Sequence, residues 1–198
     1  VKKYIINHKV DLDEIQGNEE EILSHKLYGA RREILKQLES GKDEKSNKKK
    51  PDRDVYIMVE DTSLFLAQYS KKFNFPGPFC KFALKANGCQ SYIDMVKGHE
   101  DKSCTAMCIF GVLKIGEKEE KPLFFRGECK GNVTEAPRGD KGFGWDPIFE
   151  FVGTKKTFAE MTTEEKNKIS HRANALKKLK QYLETDLISK LSKKPSDK

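Results

Sequence analysis

The sequence predicts an α/β fold, a mixed β-sheet flanked by helices, on three observations. Residues 18–39 repeat apolar side chains at helical spacing (Leu23, Leu27, Ala30, Ile34 and Leu38). Residues 103–114 and 122–130 alternate as two strands around Gly116-Glu117-Lys118-Glu119-Glu120, which reads as a hairpin. Helical patterns stand on both sides of that hairpin, so helices bracket a sheet. A chain of 198 residues with 36% hydrophobic and 10% aromatic side chains, twelve of them Phe, can bury a core, and one domain over 1–191 is expected.

Each element has a local reason. Residues 2–10 (KKYIINHKV) predict a short strand, followed by the acidic turn Asp11-Leu12-Asp13-Glu14. Asn18 is placed as a helix N-cap, with Glu19, Glu20 and Glu21 in the first turn favouring the dipole. Residues 40–53 (SGKDEKSNKKKPDR) hold no hydrophobic side chain and predict a flexible Lys-rich insertion. Val55–Val59 predicts a buried strand that ends on Glu60-Asp61-Thr62, delivering carboxylates at its C-terminal end. Phe75-Pro76-Gly77-Pro78-Phe79 predicts a turn opening a helix, with Pro78 at the first helical position. Asn87-Gly88 closes that helix, and a second short one runs to Gly98. Thr162-x-x-Glu165 predicts a capping box. The helix behind it restarts at Ser170 and turns Ala173, Leu176, Leu179 and Leu183 to the core; residues 192–198 predict a frayed tail.

Composition removes several classes. No apolar run approaches the ~20 residues of a membrane span, and Val1-Lys2-Lys3-Tyr4 opens no secretory signal, so a cytoplasmic protein is expected. Five cysteines, with no Cys-x-x-Cys, suit buried thiols better than a zinc site or a disulfide framework. The net charge of +7 is peripheral: residues 154–198 carry 12 Lys/Arg against 6 Asp/Glu, and residues 41–54 carry 6 against 4. Solvated faces explain such runs, and nucleic acid is not the expected partner.

The residues able to do chemistry are few. Glu14, Glu60 and Asp61 sit at turns or strand ends, as Mg²⁺ ligands do, though each alone also reads as an ordinary turn acid. Lys26 lies beside the buried seam of the first helix, and Lys81 falls in a first helical turn, where a cation opposes the dipole but an anionic ligand is welcome. Lys166 and His171-Arg172 punctuate the last helices, and a lone His is more often structural than catalytic. The densest stretch is Pro137–Phe149, PRGDKGFGWDPIF. Its glycines permit close backbone approach, Phe143 and Trp145 offer flat faces, and Asp146 is held extended before Pro147. It is neither a P-loop nor a dinucleotide fingerprint, and an aromatic-stapled turn explains it as well as a stacking site does.

Taken in order, DLDEIQG (11–17), VEDTSL (59–64), FPGPFCKF (75–82), EDKSCTAMCIF (100–110), PRGDKGFGWDPIF (137–149), FAEMTTEEKN (158–167) and SHRANAL (170–176) resemble the inosine triphosphate pyrophosphatase family in its eukaryotic form. The resemblance implies an elongated α/β fold with a central substrate cleft, a homodimer, and hydrolysis of ITP, dITP and XTP to the monophosphate and pyrophosphate. It implies Mg²⁺, with Mn²⁺ as a substitute, held at Glu14 and Asp61. Asp61 is then the expected metal-linked or water-orienting carboxylate, with Glu60 behind it, and Thr62 follows in the triphosphate region. Lys26, Lys81 and Lys166 are implied phosphate or substrate contacts. Phe143, Gly144, Trp145 and Asp146 would hold the purine, and His171-Arg172 would read its edge. The family opens with a strand and a Thr-x-x-Asn-x-x-Lys-like phosphate loop, and nothing before Lys9 matches them. The competing expectation is therefore a protein that keeps the fold and binds nucleotide or nucleic acid without turnover.

Overall fold

The structure, a computed structural model, describes residues 10–40, 55–69, 74–115 and 121–187. Apart from Val10 and Ser40, the expected strand at 2–10 and the insertion at 40–53 lie outside them, as do the hairpin turn at 116–120 and the tail at 192–198. In chain order the elements are α1 (Glu19–Ser40), β1 (Val55–Leu66), β2 (Pro76–Gly77), α2 (Cys80–Asn87), α3 (Gln90–Val96), β3 (Ser103–Ile115) and β4 (Leu123–Val133). A 3₁₀ turn (Asp146–Ile148), β5 (Phe149–Phe151), a second 3₁₀ turn (Phe158–Glu160), α4 (Thr163–Ile169) and α5 (His171–Tyr182) follow. The strands form one sheet in the order β2-β1-β3-β4-β5, antiparallel at both edges, with helices accompanying it. The α/β class holds. No helix of the described residues is long and apolar enough to cross a membrane.

The chain divides into two compact units, Val1–Val59 with Gly111–Leu123, and Glu60–Phe110 with Phe124–Lys198. In the first, α1 starts where its cap predicts. Asn18 Oδ1 accepts from the backbone N–H of Glu20 (3.1 Å) and Glu21 (3.0 Å), and Glu21 Oε2 accepts from Asn18 N–H (2.8 Å). That reciprocal pair satisfies donors the first turn would otherwise leave open. Ile22, Leu23, Leu27 and Ala30 are buried, so the apolar period does set the helix's inner face.

The second unit holds the larger core, in which Leu64, Leu66, Tyr92, Trp145, Ile148, Phe149 and Phe158 pack together. Three expectations change here. The strand predicted at Val55–Val59 does not end on its acids: β1 runs on to Leu66, so Glu60, Asp61 and Thr62 sit mid-strand. Ser63, Leu64, Phe65 and Leu66 are all buried, and their burial carries the strand past the acids. Pro78 is not the first helical residue. Pro76–Gly77 pairs with Phe65 and Leu64, Phe79 is the N-cap, and α2 begins at Cys80. On α5 the buried stripe is His171, Ala175 and Leu179; Leu179 is as expected, Ala173 is half-buried, and Leu176 faces solvent. The restart at Ser170 is as expected, its hydroxyl accepting from Ala173 N–H at 3.2 Å.

β4 and α5 approach so closely that only glycine fits at position 127. A Cβ built there would lie 2.0 Å from Ala175 N and 2.3 Å from His171 O, both backbone atoms that cannot swing aside. Gly127→Ala is expected to cost about 3 kcal/mol of unfolding free energy. Urea denaturation of the two proteins measures it, and an unchanged midpoint would disprove the close approach.

Candidate functional site

Four elements of the second unit bring the sequence-predicted residues into two linked clusters. The first is organised by Asp146, which is 3% exposed at the start of the 3₁₀ turn. Its Oδ2 accepts from Phe143 N–H at 2.8 Å and from Lys166 Nζ at 2.5 Å. Lys166 lies in the last turn of α4, where the helix dipole favours a cation. The same helix is started by the Thr162–Glu165 capping box, with Thr162 Oγ1 accepting from Glu165 N–H and Glu165 Oε2 from Thr162 N–H. Gly142 has φ +81°, and a Cβ there would meet Asp146 Oδ2 at 2.2 Å, so the loop closes over the carboxylate only without a side chain.

This brace divides the loop's aromatics. Phe143 is 67% exposed, with Lys166 Nζ 4.9 Å and Arg172 Cζ 5.8 Å from its ring centroid. Trp145 is 7% exposed and packs 5.3 Å from Phe149, 6.3 Å from Phe158 and 5.3 Å from His171, centroid to centroid. Of the two flat faces the loop offers in sequence, only that of Phe143 stands open to a ligand in this structure. Gly144, between them, has φ +65°, and its carbonyl accepts from the Cys89 thiol at 3.5 Å.

His171 is 2% exposed and stacks on Phe158 at 6.0 Å and 17°. Its Nδ1 has no hydrogen-bond partner. Burial first, and then the charges of Arg172 and Lys166, push its pKa down to about 3. The ring is therefore a neutral part of the core under the loop, and a general-base role at neutral pH does not fit this position.

The second cluster lies on β1, β3 and α5. Arg172 Nη2 donates to Glu60 Oε1 at 2.9 Å and to Thr62 Oγ1 at 3.2 Å, and Thr62 Oγ1 donates to Glu60 Oε1 at 2.8 Å. Cys108 Sγ adds a third donor to that oxygen at 3.2 Å. Burial and the adjoining Glu60 carboxylate push the Cys108 thiol well up, so it stays protonated and donates. Strand alternation puts Glu60 and Thr62 on one face of β1 and sends Asp61 to the other. Asp61 lies near Cys80, whose thiol is raised to about 11 by burial and then by that carboxylate. Cys89 and Cys108 were not candidate site residues. Nothing local marks them, because their partners are 55 and 48 residues away.

The remaining predicted residues are placed separately. Glu14 and Lys26 belong to the first unit and form an ion pair with each other, Glu14 Oε2 to Lys26 Nζ at 2.8 Å. Lys81 is exposed in the first turn of α2. Among the described residues no three His, Cys, Asp or Glu converge to hold a metal. That leaves room for a cation held by one or two carboxylates together with ligand oxygens and water.

Fold and site define an α/β protein that presents an exposed aromatic face between two cations, an arrangement suited to a flat, anionic ligand. The chain belongs to the Ham1 family, whose match covers residues 1–182. It is 40% identical over 180 residues to an inosine triphosphate pyrophosphatase of Scheffersomyces stipitis, covering 90% of this chain and 79% of that protein. It is 38% identical over 179 residues to the protein of the same name from Yarrowia lipolytica, covering 90% and 82%. Among solved structures, a Ham1 protein of Staphylococcus aureus shares the fold with a TM-score of 0.67 at 21% identity, over 88% of this chain and 81% of that one. A nucleoside-triphosphatase, or dITP/XTP pyrophosphatase, from Mycobacterium abscessus does so with a TM-score of 0.61 at 21% identity, over 88% and 82%. The resemblance read from the seven segments is thus borne out.

The buried imidazole makes stability depend on acid in a defined direction. A base held below its ordinary value of 6.5 binds its proton more weakly in the folded chain than in the unfolded one. Its stability contribution is intact above pH 6.5 and is lost as pH falls from there towards 3. Between pH 7.5 and pH 5 the parent protein is expected to lose about 2 kcal/mol more than His171→Phe, which keeps the ring and removes the titration. Urea denaturation at the two pH values reads the difference, and parallel losses would mean that His171 is not held neutral.

Proposed function

We propose that this chain hydrolyses non-standard purine nucleoside triphosphates (ITP, dITP and XTP) to the monophosphate and pyrophosphate. The observation that carries the reading is the exposed Phe143 ring flanked by Lys166 and Arg172, in a chain of the Ham1 family. Phe143 supplies the stacking face for the purine and Asp146 fixes its height through the Phe143 N–H. Arg172 is a donor only. It suits the 6-keto oxygen of hypoxanthine and xanthine and meets the 6-amino group of adenine donor to donor.

For the phosphates we propose Mg²⁺, replaceable by Mn²⁺, with Asp61 as a carboxylate that would hold it. When bound, such an ion neutralises phosphate charge and acidifies water. Asp61 is proposed to orient the attacking water at the α-phosphorus. The water oxygen bonds to phosphorus as the bond to the pyrophosphate oxygen breaks, and the water's proton leaves to solvent or to the carboxylate. Lys81 and Lys166 are proposed to balance the charge on the triphosphate and the departing pyrophosphate, with Thr62 in the same unit. Assembly as a homodimer and a place in the cytoplasmic nucleotide pool complete the proposal.

Purified protein incubated with ITP and Mg²⁺ is expected to release IMP and pyrophosphate in equal amounts, with ATP turned over far more slowly. Excess chelator should abolish the reaction and added Mg²⁺ restore it. Asp61→Asn is expected to lower kcat by about a thousandfold or more. Release of inorganic phosphate without pyrophosphate, or binding of ITP without turnover, would overturn the reading.

A further inference from the structure

Arg172 occupies an awkward place. It is the second residue of α5, in a first turn that holds no acidic residue, where the helix dipole disfavours a cation. What answers its charge comes from another element: Glu60 on β1, 112 residues away in sequence. The contact is directional. Among the described residues both hydrogen bonds of the guanidinium run through Nη2, one to Glu60 Oε1 and one to Thr62 Oγ1. With Nη2 spent on the strand, the planar group keeps Nη1 and Nε as donors, and its Cζ stays 5.8 Å from the Phe143 centroid.

Glu60 is itself braced. Its Oε1 gathers the Thr62 hydroxyl, the Cys108 thiol and Arg172, donors from β1, β3 and α5. A carboxylate pinned on three sides does not follow a flexible arginine; the arginine conforms to it. The pair is also open to water, with 33% and 31% of the two side chains accessible. An ion pair that exposed contributes little to global stability, so its value is orientation.

We propose that Glu60 is the positioning residue for Arg172, aiming its free donors at the edge of a base stacked on Phe143. Selectivity for a 6-keto purine then depends on Glu60 without Glu60 touching the substrate. The proposal rests on the functional reading above, and it moves Glu60 away from work on the attacking water. Glu60→Gln separates the two roles: its amide oxygen still accepts from Nη2, while its basicity is gone.

The test compares steady-state turnover of ITP and ATP by the parent, Glu60→Ala, Glu60→Gln, Arg172→Ala and the Glu60→Ala/Arg172→Ala double variant, with melting temperatures as the folding control. Glu60→Ala is expected to raise KM for ITP about tenfold, leave kcat within about threefold, and narrow the ITP-over-ATP preference about tenfold. Glu60→Gln should stay within about threefold of the parent on every measure, and the double variant should be no worse than Arg172→Ala. IMP binding by calorimetry, which needs no turnover, should weaken about tenfold in Glu60→Ala and stay near parental in Glu60→Gln. A collapse of kcat in Glu60→Gln as deep as in Glu60→Ala would overturn the proposal. So would a Glu60→Ala effect that persists undiminished without Arg172. Both results leave the pyrophosphatase reading standing, whereas a parent protein that releases no pyrophosphate from ITP overturns that reading and this proposal together.

Discussion

The candidate site depends on one buried carboxylate. Asp146 is a carboxyl group almost without solvent, tolerable there only because Lys166 and the Phe143 N–H supply what water would have supplied. The dependence is mutual. Lys166 needs an anion, the loop needs a fixed anchor, and a single oxygen provides both. The geometry propagates outward from that atom. Gly142 must lack a side chain to let the loop pass, Phe143 is turned to solvent, and Trp145 is turned into the core. A hydrophobic replacement for the pair could pack as well, but it would not hold a cation 4.9 Å from an exposed ring.

Under the loop the aromatic side chains form a floor. Centroid to centroid, Trp145 lies 5.3 Å from Phe149, 6.3 Å from Phe158 and 5.3 Å from His171, and Phe158 lies 4.6 Å from Phe149 and 6.0 Å from His171. His171 belongs to this floor as a neutral ring, and its unpartnered Nδ1 is a cost accepted in the interior. Two layers thus carry different duties. The floor supplies stiffness, and the layer of Phe143, Lys166 and Arg172 is the one open to a ligand.

The parts legible in the sequence are those whose causes are local. Asn18 with Glu21, Thr162 with Glu165, and Ser170 ahead of α5 each announce a helix start within four residues, and each cap is present. The end of β1 is not legible locally, because Ser63–Leu66 stay extended through burial by neighbours, which no window along the chain contains. On α5 Leu179 is buried as its spacing implies, but His171 faces the core because Trp145 and Phe158 meet it there, while Leu176, the better hydrophobe, is exposed. Motif spacing brought Phe143, Asp146, Lys166 and Arg172 to notice, but it could not say which aromatic faced out. It could not pair Arg172 with Glu60 either, since that contact closes only in three dimensions.

That last contact bears on how such a site discriminates. An exposed ring with cations beside it attracts any nucleotide, because every base has a flat face and every triphosphate is an anion. Selectivity needs a donor whose direction is set before the ligand arrives, since a freely rotating arginine would adjust to a 6-amino purine or simply turn away from it. On α5 the dipole gives Arg172 no reason to stay. Glu60 and Thr62 give it one, and Cys108 keeps Glu60 from moving in turn. On the proposed reading the recognition edge is held by the sheet rather than by the loop, and substitutions in β1 or β3 would reach the base without touching it.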